Sequence, residues 1–402
     1  MKSVGAKEPG FIEFVGLMAC LTSLVALSID AMLPALGHIG QAYGVDDHNQ
    51  LHLVVSLFFL GLAVGQLIYG PVADAKGRRF AILSGMGIFV VGTVLCLLAD
   101  SLESLLIGRV IQAVGVSGPR VATMALIRDK HEGPAMARIM SFIMMVFILV
   151  PMLAPVVGQA VLVWFSWRHI FTMFALFAFL VGGWFYFRQP ETLSIDKRKP
   201  FRLAVLAESL RIIVSSRQVM GYTLAMGCIF GAFLAYLSGS QTLFQEIYDT
   251  GEYFPLCFAL LAFGIGFSSF VNGKLVSRIR MTKLCAAAIS GWIVCSGILL
   301  LLAHYCNGKP PLWALLTMLL LAFFCVGILF GNLNALAMQP LGRMAGLGAA
   351  VIGALSNGMA VPISITIGSR VHASVIPLAE GFLIFGVLTA LMLRWAAKAK
   401  TA

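Results

Sequence analysis

The stretch FIEFVGLMACLTSLVALSIDAMLPAL, residues 11–36, decides the fold class because it is long and apolar enough to cross a bilayer as a helix. Apart from Glu13, near its start, its one carboxylate is Asp30, which lies among apolar and small side chains. A charge at the bilayer centre costs about 2.5 to 3.5 kcal/mol, and such residues usually line an ion or substrate pathway. Burial favours the neutral form of a carboxyl group, so we expect Asp30 to bind and release a proton.

The rest of the chain has the same apolar character. Of its 402 residues, 60% are hydrophobic and 11% are charged, more apolar surface than a soluble core of this size buries. Runs of about 20 apolar residues give twelve predicted spans, at 11–36, 50–73, 80–99, 104–127, 135–163, 168–188, 218–245, 253–276, 282–304, 311–337, 346–370 and 376–396. The alternating pattern of a membrane β-barrel is absent from the sequence, so we predict an all-α integral membrane protein.

The net charge of +11 arises from basic residues that are divided unevenly between the two sides of the membrane. With alternate loops assigned to one side, 23 of the 28 Lys and Arg residues share a side with both termini. The opposite side holds Arg168, Lys309 and Arg370, and Arg109 and Arg120 lie within the fourth span. Because Lys and Arg mark cytoplasmic loops, both termini are predicted to be cytoplasmic, and the charge does not indicate a nucleic-acid partner.

The predicted spans fall into two halves of six, separated by the longest polar connector. A short similarity between residues 70–79 and 273–280, which follow the second span of each half, supports a duplication. Two bundles related in this way place a substrate site between them at mid-depth, opened to each side in turn by rocking. We therefore predict an N-terminal six-helix bundle at 1–189, a cytoplasmic linker at 190–217 and a C-terminal six-helix bundle at 218–402.

Asp30 has two neighbours in sequence or depth that suit a binding site. Pro34 lacks the N–H that would bond the carbonyl of residue 30, so the helix is predicted to loosen at the acid. Arg109 lies about 7.5 Å below the predicted outer surface and Asp30 about 9 Å below it, so the two charges are able to pair. Gln112 follows Arg109 by one turn and adds an uncharged hydrogen-bonding group.

Other interpretations of these charges stay open at this point. Asp30 lies six residues from the predicted end of its span, which also fits an acid near the outer headgroups. Arg109 fits a side chain that snorkels towards the same headgroups. Arg120, further along the same helix, is interpreted as an anchor at the inner surface.

Three further sets of residues are candidates for function. In the fifth span Pro151, Pro155 and Gly158 share one helical stripe that permits close packing and bending. In the second half, four polar residues are candidates for lining a cavity, with ordinary interhelical hydrogen bonds as the equal alternative: Tyr236, Ser238, Gln241 and Asn357.

The third set is the loop after the second span, which contains Gly70, Asp74, Gly77, Arg78 and Arg79. We expect the Asp74 carboxylate to dock on the N-terminus of span eleven, where free N–H groups and the helix dipole favour negative charge. That contact would latch the two halves together on the inner side.

These motifs resemble the major facilitator superfamily, and within it the twelve-span drug:proton antiporters of the Bcr/CflA-type subgroup. The pattern Gly70-x-x-x-Asp74-x-x-Gly77-Arg78-Arg79 is similar to the loop 2-3 motif of the superfamily. Residues 28–36, 109–115 and 150–159 resemble the first-span acidic motif, the fourth-span arginine motif and the span-five antiporter motif. Ala113, Ala154 and Gln159 depart from the family, which usually has glycine at these positions.

The resemblance implies a major facilitator fold and multidrug efflux driven by the proton gradient, the basis of antibiotic resistance in this subgroup. Asp30 would carry protons and contact cargo, Arg109 would tune it, and Asp74 would act in the inner gate. It also implies a monomer in the bacterial inner membrane, whose partners are a small molecule, protons and the lipid bilayer, with no cofactor and no nucleic acid.

A proton-coupled symporter that imports a metabolite would use the same groups, and only the span-five resemblance favours export. A membrane-embedded enzyme would need a catalytic set, and all seven histidines lie in loops or near predicted span ends without HExxH spacing. A channel would show charge rings or a carbonyl filter, which the sequence lacks. We therefore expect a transporter rather than an enzyme.

Overall fold

The structure is a computed structural model, and it describes residues 9–45, 48–131, 133–198, 210–211, 213–371 and 373–397. Among these residues the regular secondary structure is helical, and no β-strand occurs. The chain divides into two compact units, one formed by Met1–Ala35 with Leu57–Leu206 and the other by Leu36–Ser56 with Ala207–Ala402.

Thirteen α-helices have bounds within the described part of the chain. They are α1 (Phe11–Asp30), α2 (Leu36–Tyr43), α3 (His48–Lys76), α4 (Arg78–Leu97), α5 (Leu102–Lys130), α6 (Gly133–Trp164), α7 (Arg168–Arg188), α8 (Arg217–Gln241), α9 (Phe254–Leu275), α10 (Met281–Tyr305), α11 (Leu312–Met338), α12 (Ala345–Gly368) and α13 (Ile376–Ala397). A 3₁₀ turn, Leu33–Ala35, joins α1 to α2, and a π-helical turn, Thr242–Ile247, follows α8.

The lengths and surfaces of these helices suit a lipid bilayer. Eleven of the described helical segments are long and apolar enough to cross a membrane, and Leu149–Trp164 of α6 is a shorter apolar helix. Large apolar side chains are exposed on helix surfaces, such as Phe179 (75%) and Leu301 (73%). Lipid tails solvate such side chains, and helices satisfy their own backbone hydrogen bonds. The protein is therefore a multi-pass membrane protein.

In the first unit, α5 packs closely on α4, and α1 packs on α5 and α6. Glycines allow the close approach of α4 and α5. A Cβ on Gly115 of α5 would overlap the backbone nitrogen of Phe89 in α4. An ion pair between Arg188 of α7 and Glu13 of α1 joins these two helices near the chain's N-terminal end.

In the second unit, α8 contacts α11, α12 and α13. Its Tyr236 ring lies 4.6 Å from the ring centroid of Phe323 in α11. Trp292 of α10 lies 4.7 Å from the ring of Phe382 in α13 and donates its indole N–H to the Phe382 carbonyl at 2.7 Å. These buried aromatic side chains form the core of the unit.

Each of the twelve predicted spans coincides with a helix, and the first, 11–36, covers α1, the 3₁₀ turn and the first residue of α2. The predicted all-α, twelve-span fold is thus confirmed. The predicted domain boundaries at residues 189 and 218 stay a prediction. Residues 199–209 and 212 of the predicted linker lie outside the described residues, as do the first eight and last five residues of the chain.

Candidate transport site

The first helix ends at the buried acid. Asp30 is 5% exposed and is the last residue of α1. The backbone then tightens, because the N–H of Met32 bonds the carbonyl of Ile29 and that of Ala35 bonds Met32. In a continuous α-helix the N–H of residue 34 would donate to the Asp30 carbonyl, but Pro34 has no N–H. The predicted loosening of the helix at Asp30 is therefore confirmed.

Gly158 of α6 meets this break. A Cβ on Gly158 would overlap the carbonyl oxygen of Ala31, the residue after Asp30, so only glycine permits the observed approach. Pro155 and Gly158 are buried, Pro151 is half-buried, and both prolines lie inside α6. The predicted stripe of Pro151, Pro155 and Gly158 therefore contacts the segment around Asp30 through Gly158.

Arg109 lies inside the first unit and is fully buried. Its Nη1 donates to Oε1 of Gln112 at 2.6 Å, and its guanidinium lies 4.3 Å from the ring centroid of Phe58. Gln112 in turn donates from Nε2 to Oγ1 of Thr93 in α4 at 2.8 Å. This chain of hydrogen bonds holds the cation within the protein. Snorkelling to the headgroups, the alternative drawn from sequence, is not what the structure shows.

Asp30 and Arg109 do not form the ion pair that their similar depths suggested. Acids of the first unit that do pair with arginines include Asp74 and Asp129, both with Arg78, and Glu13, with Arg188. The two charges lie on helices of the same unit that pack together, α1 and α5. The amide of Gln112, three residues along the same helix face, takes the place expected for the acid beside the guanidinium.

In the second unit a row of buried hydroxyl groups joins three helices. Ser238 of α8 lies 3.2 Å from Ser364 of α12, and Ser364 lies 3.3 Å from Ser56 of α3, measured between Oγ atoms. His52 of α3 is buried and packs on Gly239 of α8. A Cβ added to that glycine would lie 3.1 Å from Cε1 of His52. Ser238 was predicted, whereas Ser56, Ser364 and His52 were missed, because their partners are distant in sequence.

Gln241 ends α8 immediately before the π-helical turn Thr242–Ile247. Its side chain is buried and packs on Gly37 of α2, where a Cβ would lie 3.1 Å from Nε2. π-turns within helices occur often at functional sites. The irregular backbone therefore marks the same end of α8 that the predicted residues Tyr236, Ser238 and Gln241 occupy.

Asn357 of α12 is buried, at 7% exposure, and a half-open pocket of about 340 Å³ lies between α8 and α12. The cavity wall is mostly apolar and consists of Met220, Thr223, Leu224, Ala354, Leu355, Gly358 and Met359. Asn357 itself is not among the residues that line it.

Arg78 is the first residue of α4, and Gly77 alone separates it from the end of α3. It is 8% exposed and donates to the carboxylates of Asp74 in α3 and Asp129 in α5, the latter from Nε at 3.0 Å. Arg79 donates from Nη2 to the carbonyl of Tyr186 at 2.7 Å. Gly70 is buried within α3. The predicted loop motif is thus a network of charges within the first unit, and Asp129 is a member that sequence reasoning missed.

Gly77 has a φ of +105°, a backbone conformation that glycine adopts readily and other residues rarely. A Cβ here would overlap the carboxylate of Glu191. That carboxylate accepts hydrogen bonds from the backbone N–H groups of Arg78 and Arg79 at 2.9 and 3.0 Å, at the start of α4. An acid at a helix N-terminus is stabilised by the free N–H groups and the dipole. Glu191 therefore joins the connector after α7 to the loop motif.

Gln159 is a further residue that sequence reasoning passed over, although its departure from glycine was noted. Its Oε1 is buried and has no hydrogen-bond donor among the described residues. It follows Gly158, which packs on Ala31. A buried acceptor without a donor costs about 1–3 kcal/mol, which makes Gln159 a candidate to contact cargo.

Helices that span the membrane, a buried acid at a helix break and buried polar groups in both units define a membrane transporter. The profile of the Major Facilitator Superfamily matches residues 18–365. The chain belongs to this superfamily, whose members are transporters and not enzymes.

Curated relatives agree with this assignment. The chain is 28% identical over 342 residues to the uncharacterized MFS-type transporter YdgK of Bacillus subtilis, covering 84% of each. It is 27% identical over 360 residues to the bicyclomycin resistance protein homolog of Haemophilus influenzae, covering 85% of each. It is 28% identical over 345 residues to the multidrug resistance protein MdtL of Salmonella typhimurium, covering 84% of each. The predicted resemblance to Bcr/CflA-type transporters is thereby confirmed.

Solved structures show the same fold. The human organic anion transporter MFSD10 matches with a TM-score of 0.69 at 18% identity, over 97% of this chain and 100% of that one. The xylose transporter XylE of E. coli matches with a TM-score of 0.75 at 13% identity, over 96% and 97%. At these identities the likeness concerns the fold alone.

Proposed function

We propose that this protein exports small-molecule drugs across the bacterial inner membrane in exchange for protons, by alternating access. The observation that supports it most directly is the buried carboxylate of Asp30 at the break between α1 and the 3₁₀ turn. A buried acid is favoured in its neutral form until a conformational change brings a cation or water to it. One carboxyl group then serves protons and cargo in turn, which couples their opposite movements.

The names of two relatives support drugs as cargo, since one is named for bicyclomycin resistance and another for multidrug resistance. Both share most of their length with this chain, and the motifs that carry the resemblance lie in the first unit. We propose that cargo also contacts the polar groups of the second unit: Tyr236, Ser238, Gln241 and Asn357. The proton gradient is the energy source, so the cycle needs no cofactor, and one monomer suffices.

The orientation of the chain is part of the proposal. The excess of Lys and Arg on one set of loops supports cytoplasmic termini. The network of Arg78 with Asp74 and Asp129 then lies at the cytoplasmic side and supports a role in the inner gate. Under this proposal Asp74→Asn lowers turnover and leaves cargo binding intact. If Asp74→Asn instead weakened cargo binding and left the turnover rate of bound cargo unchanged, that result would contradict a gating role.

The test of proton coupling uses purified protein in proteoliposomes with an imposed proton gradient. Bicyclomycin and a panel of lipophilic drugs serve as cargo, and both cargo movement and internal pH are recorded. We expect Asp30→Asn to abolish gradient-driven cargo movement while the protein still folds. Asp100→Asn, which changes an exposed acid outside the spans, is the matched control and should behave as wild type.

Wild-type proton exchange by Asp30→Asn would reject the role of Asp30. Proton and cargo movement in the same direction in the wild-type protein would instead establish symport. Since the same proteoliposomes report both quantities, the two results are separable.

A further inference from the structure

Arg120 is a cation inside the first unit that the proposed cycle does not use. It lies in α5, which has 29 residues and is centred on Val116. At 1.5 Å per residue Arg120 is about 6 Å from that centre. The hydrocarbon core of a bilayer is about 30 Å thick, so Arg120 lies within it when α5 spans the membrane symmetrically. On this geometry we place Arg120 inside the hydrocarbon core rather than at the inner surface.

The side chain of Arg120 also points away from lipid. It follows Arg109 by about three turns, which places the two side chains about 20° apart around the helix axis. Ile107, whose side chain is 61% exposed, lies about 140° from Arg120 around the same axis. Arg120 is half-buried and shares the stripe of the fully buried Arg109. It therefore belongs to the interior face of α5.

Arg120 has no hydrogen bond and no ion pair with another described residue, in contrast to Arg78 and Arg188. One turn further on, Thr123 is fully buried, with a relative exposure of 0%. Its hydroxyl also has no hydrogen-bond partner in the described part of the chain. Two donors on one side of a helix, one of them cationic, thus lack an acceptor.

The charges of the unit interior are unbalanced as well. In the described part of the first unit, the residues well inside the predicted spans include two cations, Arg109 and Arg120, and one acid, Asp30. When Asp30 holds a proton, Arg120 still has no carboxylate partner among the described residues. An uncompensated buried charge is strongly unfavourable, and an oxyanion that accepts hydrogen bonds from arginine and a hydroxyl relieves it.

We propose that Arg120 and Thr123 form a subsite for an anionic group on the transported molecule, a carboxylate, sulfonate or phosphate next to an apolar body. This assignment rests on the proposed export function and names the class of cargo. The guanidinium supplies charge and two parallel donors, and the Thr123 hydroxyl supplies a third. An anionic lipid headgroup has the same chemistry, so the experiment distinguishes it from cargo.

The experiment uses two fluorescent probes that share an aromatic frame. These are 1-anilinonaphthalene-8-sulfonate, an anion, and N-phenyl-1-naphthylamine, which is neutral. Each is titrated into the full-length protein in nanodiscs of phosphatidylcholine. Because hydrogen bonds to charged groups are strong, we expect Arg120→Gln to weaken binding of the sulfonated probe by about tenfold or more. Binding of the neutral probe should change little, which also shows that the variant is folded.

Two further variants sharpen the result. Arg120→Lys keeps the charge and should retain most of the affinity for the sulfonated probe, whereas Thr123→Val should lose part of it. The matched control is Arg128→Gln, which removes an exposed arginine from the same helix, one that donates to the Met124 carbonyl. It should bind both probes as wild type does.

The proposal would be overturned if wild type and Arg120→Gln bound the sulfonated probe with equal affinity. It would also be overturned if neither protein bound this probe saturably. The affinities of wild type and Arg120→Gln for the sulfonated probe are then compared after phosphatidylglycerol replaces part of the phosphatidylcholine. If their difference disappears, the subsite binds lipid headgroups, and its assignment to cargo is overturned. Proton-coupled export of the neutral probe by Arg120→Gln in proteoliposomes upholds the proposed function in either case. Failure of the subsite and failure of the proposed function therefore give different results.

Discussion

The backbone of Gly158 packs directly on the carbonyl oxygen of Ala31, the residue that follows the buried Asp30. The contact joins α6 to the point where α1 breaks. A helix that moves against this carbonyl changes the surroundings of the acid, because no side chain separates the two backbones. The position of Gly158 is thus a physical link between the α6 stripe and the candidate proton site.

Gly158→Ala is expected to destabilise the protein by about 1–3 kcal/mol, since the added methyl overlaps a backbone atom that cannot move alone. We also expect slower proton-coupled transport, because α1 and α6 are forced apart beside Asp30. Thermal unfolding in detergent and transport in proteoliposomes measure the two effects. Gly183→Ala is the matched control, since a Cβ at that glycine meets no atom within 4 Å. Equal behaviour of the two variants would refute the role of the contact.

Glu191→Gln is expected to destabilise the start of α4, because the carboxylate accepts the N–H groups of Arg78 and Arg79. Loss of a charged helix cap costs about 0.5–2 kcal/mol. Hydrogen exchange of the first turn of α4 should therefore accelerate, as measured by mass spectrometry. Asp196→Asn changes an exposed acid in the same connector and serves as the control. Unchanged exchange in Glu191→Gln would show that the cap contributes nothing.

Arg109→Ala is expected to displace the pH profile of cargo binding towards higher pH. Loss of this cation from the unit that contains Asp30 favours the neutral form of the carboxyl group, so a proton is retained to higher pH. The variant should also lose stability, because Gln112 loses the partner of its Oε1. Binding measured across a pH series tests this, with Arg128→Ala as the control on an exposed part of α5. A profile that stays in place would leave Arg109 with a structural role only.

Ser364→Ala is expected to lower stability by about 1 kcal/mol, the net value of a typical hydrogen bond. Ser364 is the middle member of the row that connects Ser238 to Ser56, so its loss separates α8 from α3. Thr366→Ala removes an exposed hydroxyl from the same helix and should be nearly neutral. Chemical denaturation in detergent compares the two variants. A loss from Thr366→Ala as large as that from Ser364→Ala would argue against a specific contribution of the row.

Sequence patterns were sufficient for the fold class and for the break at Asp30. Apolar length and loop charge are local properties, and Pro34 acts on a carbonyl four residues before it. The candidate residues of the loop motif were also found by their spacing, and the structure places Arg78 and Asp74 in direct contact. Their further partners, Asp129 and Glu191, were not predicted, because nothing local relates them to the loop.

The sequence by itself thus determined a chain of twelve apolar helices with one acid at a proline-induced break, since lipid requires each span to satisfy its own backbone hydrogen bonds. Only the tertiary structure decided that Arg109 contacts Gln112 and Thr93 instead of Asp30. It also decided that Ser364 meets Ser56, which lies 308 residues away in sequence. The physical reason is that side-chain partners depend on the rotation and depth of each helix. Close packing at small residues sets both, and no single span encodes them.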